Sequence, residues 1–217
     1  MSESKPIVIA IDGPSASGKS TNARIISAQL GYIYVDTGAM YRTLAWHILQ
    51  TGTDVTDVAA VEALCRNWPA KLVRRDNNVW LEVDGYFPEK EIRSSEVSEM
   101  VSYVAQVPYV REWMKEHQRS CVDFGNLVME GRDITSNIFP DTPHKFYMDA
   151  SAAERQARRD ADGVEENLAA RDQRDSTRKT APLVVVKGAT VINNSGESPE
   201  ETSERIIALV EAQQQEF

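Results

Sequence analysis

Apolar and polar positions follow two rhythms along this chain. Short, almost wholly apolar runs stand at about 6–12, 32–35, 126–129, 145–148 and 189–192. Longer stretches between them, among them about 19–30 and 38–50, space their apolar residues as one face of a helix does. Strands that alternate with helices predict an α/β fold, a doubly wound parallel sheet of five strands with helices between them. Ligands are then expected at the carboxyl ends of the strands.

The rhythm changes between about 66 and 105. Leu72-Val73-Arg74 and the run 79–83 flank Asp76-Asn77-Asn78, a signal for a β-hairpin, and a hairpin does not belong in a βαβ core. We therefore expect a small β-containing insert over 66–105 within one domain that spans 1–217. The last helix should begin at Ser198-Pro199-Glu200-Glu201, a capping box with proline at the first helical position.

Composition narrows the function. The 217 residues are 41% hydrophobic, enough for a sizeable core, and the net charge is −9. An acidic chain is not expected to bind nucleic acid or an anionic membrane, so any anionic ligand must be held by local positive charge. Cys65 and Cys121 lack metal or redox spacing and predict free thiols. Neither a secretion signal nor a membrane span is visible, which predicts a cytoplasmic location.

The segment after the first apolar run carries the clearest chemistry. It follows the pattern G-x-x-x-x-G-K-[ST], with a strand before it and a helix after it. In such a loop, backbone N–H groups and the helix N-terminus hold phosphate, the lysine reaches the β- and γ-phosphates, and the hydroxyl is placed for Mg²⁺. The alternative is a glycine turn with a surface lysine. The predicted phosphate-binding residues are Gly13, Pro14, Ser15, Ala16, Ser17, Gly18, Lys19, Ser20 and Thr21.

Charged residues also follow the second predicted strand. Asp36, Thr37 and Arg42 place a carboxylate, a hydroxyl and a guanidinium within about two helical turns. Arg42 could bind a phosphate through two hydrogen bonds at once. In the alternative, Asp36 or Thr37 only caps the following helix and Arg42 is solvated.

A third charged group follows the strand at 126–129. Glu130 stands at the strand end, where nucleotide-binding sheets often place an acid that faces the Mg²⁺ shell, and Arg132 and Asp133 should point into the cleft. The alternative is a polar turn with an internal salt bridge.

Two sets of arginines occupy the charge-rich helical stretch 152–180. Their spacing places each set on one helix face, and a choice of arginine over lysine favours phosphate binding. The alternative is a solvated pair of salt-bridged helices. The first set is Arg155, Arg158 and Arg159, and the second is Arg171 and Arg178 with Asp175 between them.

Taken together, these residues resemble the bacterial cytidylate kinases, a family of nucleoside monophosphate kinases. The resemblance runs from about Ile7 to Glu211, and its most specific stretches are GPSASGKST, VDTGAMYR, EIRSSEV, EGRDI, FPDTPHKFYMDAS and RDQRDSTRKTAPL. It implies a single kinase domain that transfers the γ-phosphoryl group of ATP to CMP or dCMP with Mg²⁺, in pyrimidine metabolism. The insert would be the lobe that binds the monophosphate and 152–180 a short lid. We expect a monomer.

The resemblance also implies roles for individual residues. Lys19, Arg132, Arg158, Arg159 and Arg178 would be catalytic, and Arg155, Arg158 and Arg159 would belong to the lid. Ser20 would ligate Mg²⁺, with Glu130 in its outer shell. The phosphate of the monophosphate would be bound by Arg42, Arg132 and Arg178, and its base would be recognised by Ser102, Arg111 and Asp133. Its sugar would contact Arg171 and Asp175. Asp36 and Thr37, at the start of the second helix, would also contact the monophosphate.

Some positions depart from the family pattern. Glu130 stands where aspartate is common, Ile134–Asn137 lacks the usual glycine-threonine, and Asn193-Asn194-Ser195 lacks the usual aspartate after the last strand. Two other functions stay open. The chain could be a kinase of the same fold acting on UMP, AMP or a non-nucleotide alcohol, which Ser102 to Asp133 argue against. It could also be a nucleotide-dependent switch, although a guanine-reading N-K-x-D motif is missing.

Overall fold

A computed structural model describes residues 5–161, 168–178 and 181–215. Within that part of the chain the strands are β1 (Val8–Asp12), β2 (Ile33–Asp36), β3 (Ala70–Arg75), β4 (Asn78–Val83), β5 (Leu127–Gly131), β6 (His144–Asp149) and β7 (Thr190–Asn193). The helices are α1 (Lys19–Leu30), α2 (Thr37–Thr51), α3 (Val58–Asn67), α4 (Ser95–Val104), α5 (Pro108–Ser120), α6 (Ala152–Ala161), α7 (Leu168–Ser176) and α8 (Pro199–Gln215).

The central sheet confirms the predicted α/β fold. Its five parallel strands lie in the order β2-β5-β1-β6-β7. In this register Asp12 lies opposite Gly131, and Asp36 lies opposite Glu130. At the other side of the sheet Asp149 lies opposite Asn193. The carboxyl ends of the strands therefore bring acidic and amide side chains to one edge.

Each parallel strand packs on both faces, which explains its continuous apolar sequence. Val8 and Ala10 of β1 belong to one buried cluster, with residues of α2 to α5. Ile9 and Ile11 belong to a second cluster on the opposite face, with residues of α1 and α8. Alternate side chains of one strand thus enter two cores, as the period of two requires.

The predicted hairpin forms and extends the sheet to seven strands. β3 and β4 pair antiparallel, and β4 joins β2 through the single pair Tyr34 and Asn78. Val79 and Leu81 of β4 lie in the same buried cluster as Val8. The insert at 66–105 therefore shares its core with the sheet. Its role as the lobe that binds the monophosphate stays a prediction.

Helix ends follow the expected chemistry, with one exception. The Ser198 hydroxyl accepts from the Glu201 N–H at 3.2 Å, and the Glu201 carboxylate accepts from the Ser198 N–H at 2.9 Å, which confirms the capping box. The exception is α7, which ends at Ser176, so Arg178 lies beyond the helix face predicted to carry it. The Ser176 and Thr177 hydroxyls donate to the carbonyls of the last turn and terminate the helix. In the predicted lid, 162–167 and 179–180 lie outside the described residues.

A buried carboxylate at the end of β1 fixes the turn after β5. Asp12 is wholly buried and accepts three hydrogen bonds, from the N–H groups of Ile134 and Thr135 at 2.9 and 2.8 Å and from the Thr135 hydroxyl at 2.6 Å. Burial raises its pKa, although these hydrogen bonds oppose the shift. The turn they hold is a π-helical turn, Ile134–Ile138, which starts directly after Asp133.

Replacing this carboxylate should destabilise the fold. Asp12→Ala leaves two buried N–H groups without partners, and we expect the free energy of unfolding to fall by roughly 2–4 kcal/mol. Thr135→Val removes only the hydroxyl and should cost about 1 kcal/mol. Urea denaturation measures both. Equal decreases in the free energy of unfolding for the two variants would show that Asp12 does not hold the turn.

Candidate active site

A large cavity lies at the carboxyl ends of the parallel strands. Its volume is about 1300 Å³, and its wall contains residues from every charged motif that the sequence presents. The phosphate-loop residues 15–21 form one part of the wall. Arginines distant in sequence form another, namely Arg42, Arg111, Arg132, Arg158, Arg159, Arg171 and Arg178.

The phosphate loop adopts the backbone that its sequence predicts. Gly18 has φ +91°, a left-handed conformation that a side chain would strain, and α1 begins at the next residue. Lys19 is buried, and its ammonium donates to the Pro14 carbonyl at 2.7 Å and to the Ser17 hydroxyl at 3.4 Å. Burial and the charge of Arg132 lower the pKa of Lys19 to about 7. An anion in the loop would reverse this shift.

One carboxylate pairs two of the predicted clamp arginines. Arg132 Nε lies 2.7 Å from one oxygen of Asp175, and Arg178 pairs with the other oxygen. Burial alone would raise the pKa of Asp175, but the two guanidinium groups outweigh it and hold the pKa below its usual value. Arg132 does not pair with its neighbour Asp133, which excludes the internal salt bridge considered as an alternative.

A second buried ion pair stands in the same wall. Arg111 Nη2 lies 2.6 Å from Asp133 Oδ2, and the Asn137 amide donates to the same oxygen at 3.1 Å. Both charged side chains are at most 9% exposed. Ser102 also lines the cavity, and its hydroxyl donates to the Glu99 carbonyl at 3.4 Å. The three residues expected to read the base therefore share one cavity.

The charged and polar residues at the start of α2 make structural contacts and also line the cavity. Asp36 caps the helix by accepting from the Ala39 N–H at 2.8 Å, as the alternative interpretation predicted. Its other oxygen pairs with Arg93 at 3.1 Å. The Thr37 hydroxyl donates to the Glu130 carbonyl at 2.7 Å. Arg42 is not simply solvated, since it donates to the Ser98 hydroxyl at 2.7 Å. Asp36, Thr37 and Arg42 all line the cavity.

Oxygen donors suited to Mg²⁺ lie beside the phosphate loop. Glu130 is buried and accepts from the Tyr34 hydroxyl at 2.7 Å, and it lines the cavity together with Ser20. Burial and the charge of Asp36 raise the pKa of Glu130, while Lys19 opposes the shift. Among the described residues no group of three His, Cys, Asp or Glu side chains forms a metal cluster. Mg²⁺ needs only one or two protein oxygens when phosphates and water supply the rest, so Ser20 and Glu130 fit it.

The arginines of α6 contact the phosphate loop. Arg158 donates to the Ala16 carbonyl at 3.3 Å, and Arg159 donates to the Ser15 hydroxyl at 3.1 Å. Arg155 differs, because it joins the Ser15 carbonyl to Asp172 of α7 and does not line the cavity. Arg155 therefore makes the ion pair between two helices that the alternative predicted, and Arg158 also lies 3.8 Å from Glu154 within α6.

Some residues of the site had no assigned role in the sequence-based prediction. Arg93 lines the cavity, Asp12 holds the turn that carries Asp133, and Asn194 contacts the phosphate loop. Asp12 and Asn194 each follow or end an apolar run, as the assigned Asp36 and Glu130 do. That shared position at the sheet edge was the available signal.

The sequence matches the cytidylate kinase family from residue 9 to residue 212. The chain belongs to that family. A cytidylate kinase of Geobacillus thermodenitrificans is 39% identical over 215 residues, which cover 94% of this chain and 96% of that protein. One of Symbiobacterium thermophilum is 40% identical over 215 residues, which cover 94% of this chain and 95% of that protein. The family predicted from the motifs is thus confirmed over nearly the whole chain.

One solved structure agrees with the fold of this cytidylate kinase family member. Thymidylate kinase from Candida albicans superposes with a TM-score of 0.50 at 12% identity, over 97% of this chain and 93% of that chain. At this identity the likeness concerns the fold alone. In the described part of the chain, no helix is both long enough and apolar enough to cross a bilayer.

Asp175 supplies a stability test in this cytidylate kinase family member. Asp175→Asn removes the carboxylate that pairs with the largely buried Arg132 and Arg178, which are 17% and 15% exposed, and we expect the free energy of unfolding at pH 7 to fall by roughly 3 kcal/mol. Because the pKa of Asp175 is depressed in the fold, its contribution is present above the unfolded pKa of about 3.9 and is lost as pH falls through the folded value.

Urea denaturation between pH 7 and pH 3 measures this effect, with exposed Asp160→Asn as the matched control. The difference in the free energy of unfolding between the native protein and Asp175→Asn should become smaller towards pH 3. A difference in the free energy of unfolding that stays constant with pH would contradict the assignment of these ion pairs.

Proposed function

We propose that this protein transfers the γ-phosphoryl group of ATP to CMP and dCMP, giving CDP and dCDP for pyrimidine nucleotide metabolism. One observation carries the proposal. The phosphate loop and the guanidinium groups of Arg42, Arg132 and Arg178 line the same cavity, so two anionic groups can meet there. Membership in the cytidylate kinase family supports the same reaction.

ATP would bind through the loop residues 13–21. Its phosphates would take hydrogen bonds from the loop N–H groups at the start of α1, where the helix dipole favours negative charge. The Lys19 ammonium now donates to the Pro14 carbonyl and would exchange that partner for a phosphate oxygen. Mg²⁺ held near Ser20 and Glu130 would neutralise charge on the phosphates.

The phosphate of CMP would bind to Arg42, Arg132 and Arg178. Asp175 fixes two of these guanidinium groups before the substrate arrives, which lowers the entropy cost of binding. Arg171 and Asp175 would contact the sugar. Asp175 can accept a sugar hydroxyl while it holds both arginines, because each carboxylate oxygen has two acceptor positions.

Cytosine would be recognised by Asp133, Arg111 and Ser102. Arg111 and Asn137 both donate to Asp133 Oδ2, so we assign Oδ1 to the N4 amine, which is a hydrogen-bond donor. The guanidinium and hydroxyl groups of Arg111 and Ser102 match the acceptors O2 and N3. Uracil has a carbonyl where cytosine has the amine, and a buried mismatch of this kind costs about 1–3 kcal/mol.

Phosphoryl transfer needs positioning and charge stabilisation more than a covalent nucleophile. Lys19, Arg132 and Arg178 would face the transferring group from the two binding sites. Arg158 and Arg159, which already touch the phosphate loop, would complete its neutralisation as the lid closes and excludes water. The lid movement, the cytoplasmic location and the monomeric state stay predictions.

The first test concerns the phosphate loop. Lys19→Met should lower kcat at least a hundredfold, because it removes the positive charge that would stabilise the transferring phosphoryl group. A coupled assay of ADP release with CMP and Mg²⁺ measures it, with exposed Lys71→Met as the matched control. Activity within tenfold of the native protein would contradict the assigned role of Lys19.

The second test concerns the base. In the native protein CMP should exceed UMP and AMP in kcat/KM, and Asp133→Asn should reduce the preference for CMP over UMP by about tenfold to a hundredfold. ATP affinity should change less, and exposed Asp141→Asn should leave the preference unchanged. An unaltered preference in Asp133→Asn would remove the cytosine assignment. Native protein that prefers UMP or AMP would refute the proposed substrate.

A further inference from the structure

Asn194 occupies a buried position between the phosphate loop and the lid. It directly follows β7, is 3% exposed, and its N–H donates to the Asp149 carbonyl at 3.0 Å. That bond fixes its backbone to the end of β6. Asn194 also lines the large cavity, and its side chain contacts the phosphate loop that would bind ATP.

The two ends of the Asn194 amide contact two different parts of the site. Its Nδ2 donates to the Ser17 carbonyl at 3.0 Å. Its Oδ1 accepts from Arg158, whose Nη1 and Nη2 both lie at 3.4 Å. Arg158 Nη1 also donates to the Ala16 carbonyl. The amide therefore links the loop to a guanidinium group of α6.

The packing around Gly18 leaves room for this link. A Cβ at Gly18 would lie 2.9 Å from the Asn194 amide nitrogen and 3.4 Å from Arg158 Nη1. Asn22 lies nearby and donates from its own amide to the Gly18 carbonyl at 2.9 Å. The absence of a side chain at Gly18 thus lets the loop, Asn194 and Arg158 approach one another.

Chemistry restricts which residue can make both contacts. Aspartate has no donor for the Ser17 carbonyl, lysine and arginine have no acceptor for Arg158, and serine is too short to span the two. The bond to Ser17 also fixes the amide orientation, because it assigns the nitrogen to the loop and leaves the oxygen for the guanidinium.

We infer that Asn194 is a positioning residue that holds Arg158 against the phosphate loop for phosphoryl transfer. This inference rests on the proposed function, in which Arg158 faces the transferring group. Asn194 acts through Arg158 and not on the substrate itself. Its loss should therefore lower kcat and leave the KM for CMP nearly unchanged.

A double-mutant cycle tests this coupling. Asn194→Ala should lower kcat about tenfold in the native background and less than twofold in the Arg158→Ala background. Neighbouring Asn193→Ala, which is exposed and contacts neither partner, is the matched control and should change kcat less than twofold. Thermal denaturation checks that each variant is folded. Where Asn194→Ala melts below the assay temperature, Asn194→Ser takes its place.

Equal losses of kcat in both backgrounds would indicate a general structural role and overturn the inference. So would a kcat for Asn194→Ala within twofold of the native value. Native protein that binds ATP but does not phosphorylate CMP would refute the proposed function instead. In that case the same four proteins are compared by their Kd for ATP, where the coupling between Asn194 and Arg158 should still be seen.

Discussion

The structure depends on buried carboxylates that hold cations around one cavity in an acidic chain. The net charge is −9, yet Lys19 and the guanidinium groups of ten arginines line the same space. Like charges this close oppose one another, and burial with Arg132 lowers the pKa of Lys19 to about 7. Asp175 and Asp133 offset the repulsion through three ion pairs. A bound phosphate would offset the remaining repulsion between the positive side chains, and the cavity therefore suits anions.

The parallel sheet brings these groups together. Its strands run in the same direction, so Asp12, Asp36, Glu130 and Asn194 reach one edge from four separate parts of the sequence. The strands are anchored by two cores, one on each face, and so the edge is rigid. Asp175, in α7, and Arg178, which follows it, come from outside the sheet and line the same cavity as the phosphate loop. Sites built on rigid elements hold their geometry within small tolerances.

Local patterns allowed much of this to be predicted. The phosphate loop, the five parallel strands and the capping box at Ser198 each rest on neighbouring residues, and the structure has all three. The pairing of Arg132 with Asp175 could not be predicted, because 43 positions separate them and Asp133 was an equally good partner in sequence. The end of α7 at Ser176 depends on hydroxyl bonds that spacing does not show. The contact of Asn194 with Ser17 is likewise set by strand order.

A crystal structure with adenosine and cytidine joined through five phosphates would test the central claim most directly. The adenosine-side phosphates should lie in the loop 13–21, with one within hydrogen-bond distance of Lys19. The phosphate nearest cytidine should contact Arg42, Arg132 and Arg178, and the cytosine amine should contact Asp133. Cytidine bound outside this cavity, or these three arginines turned away from the phosphate, would contradict the account.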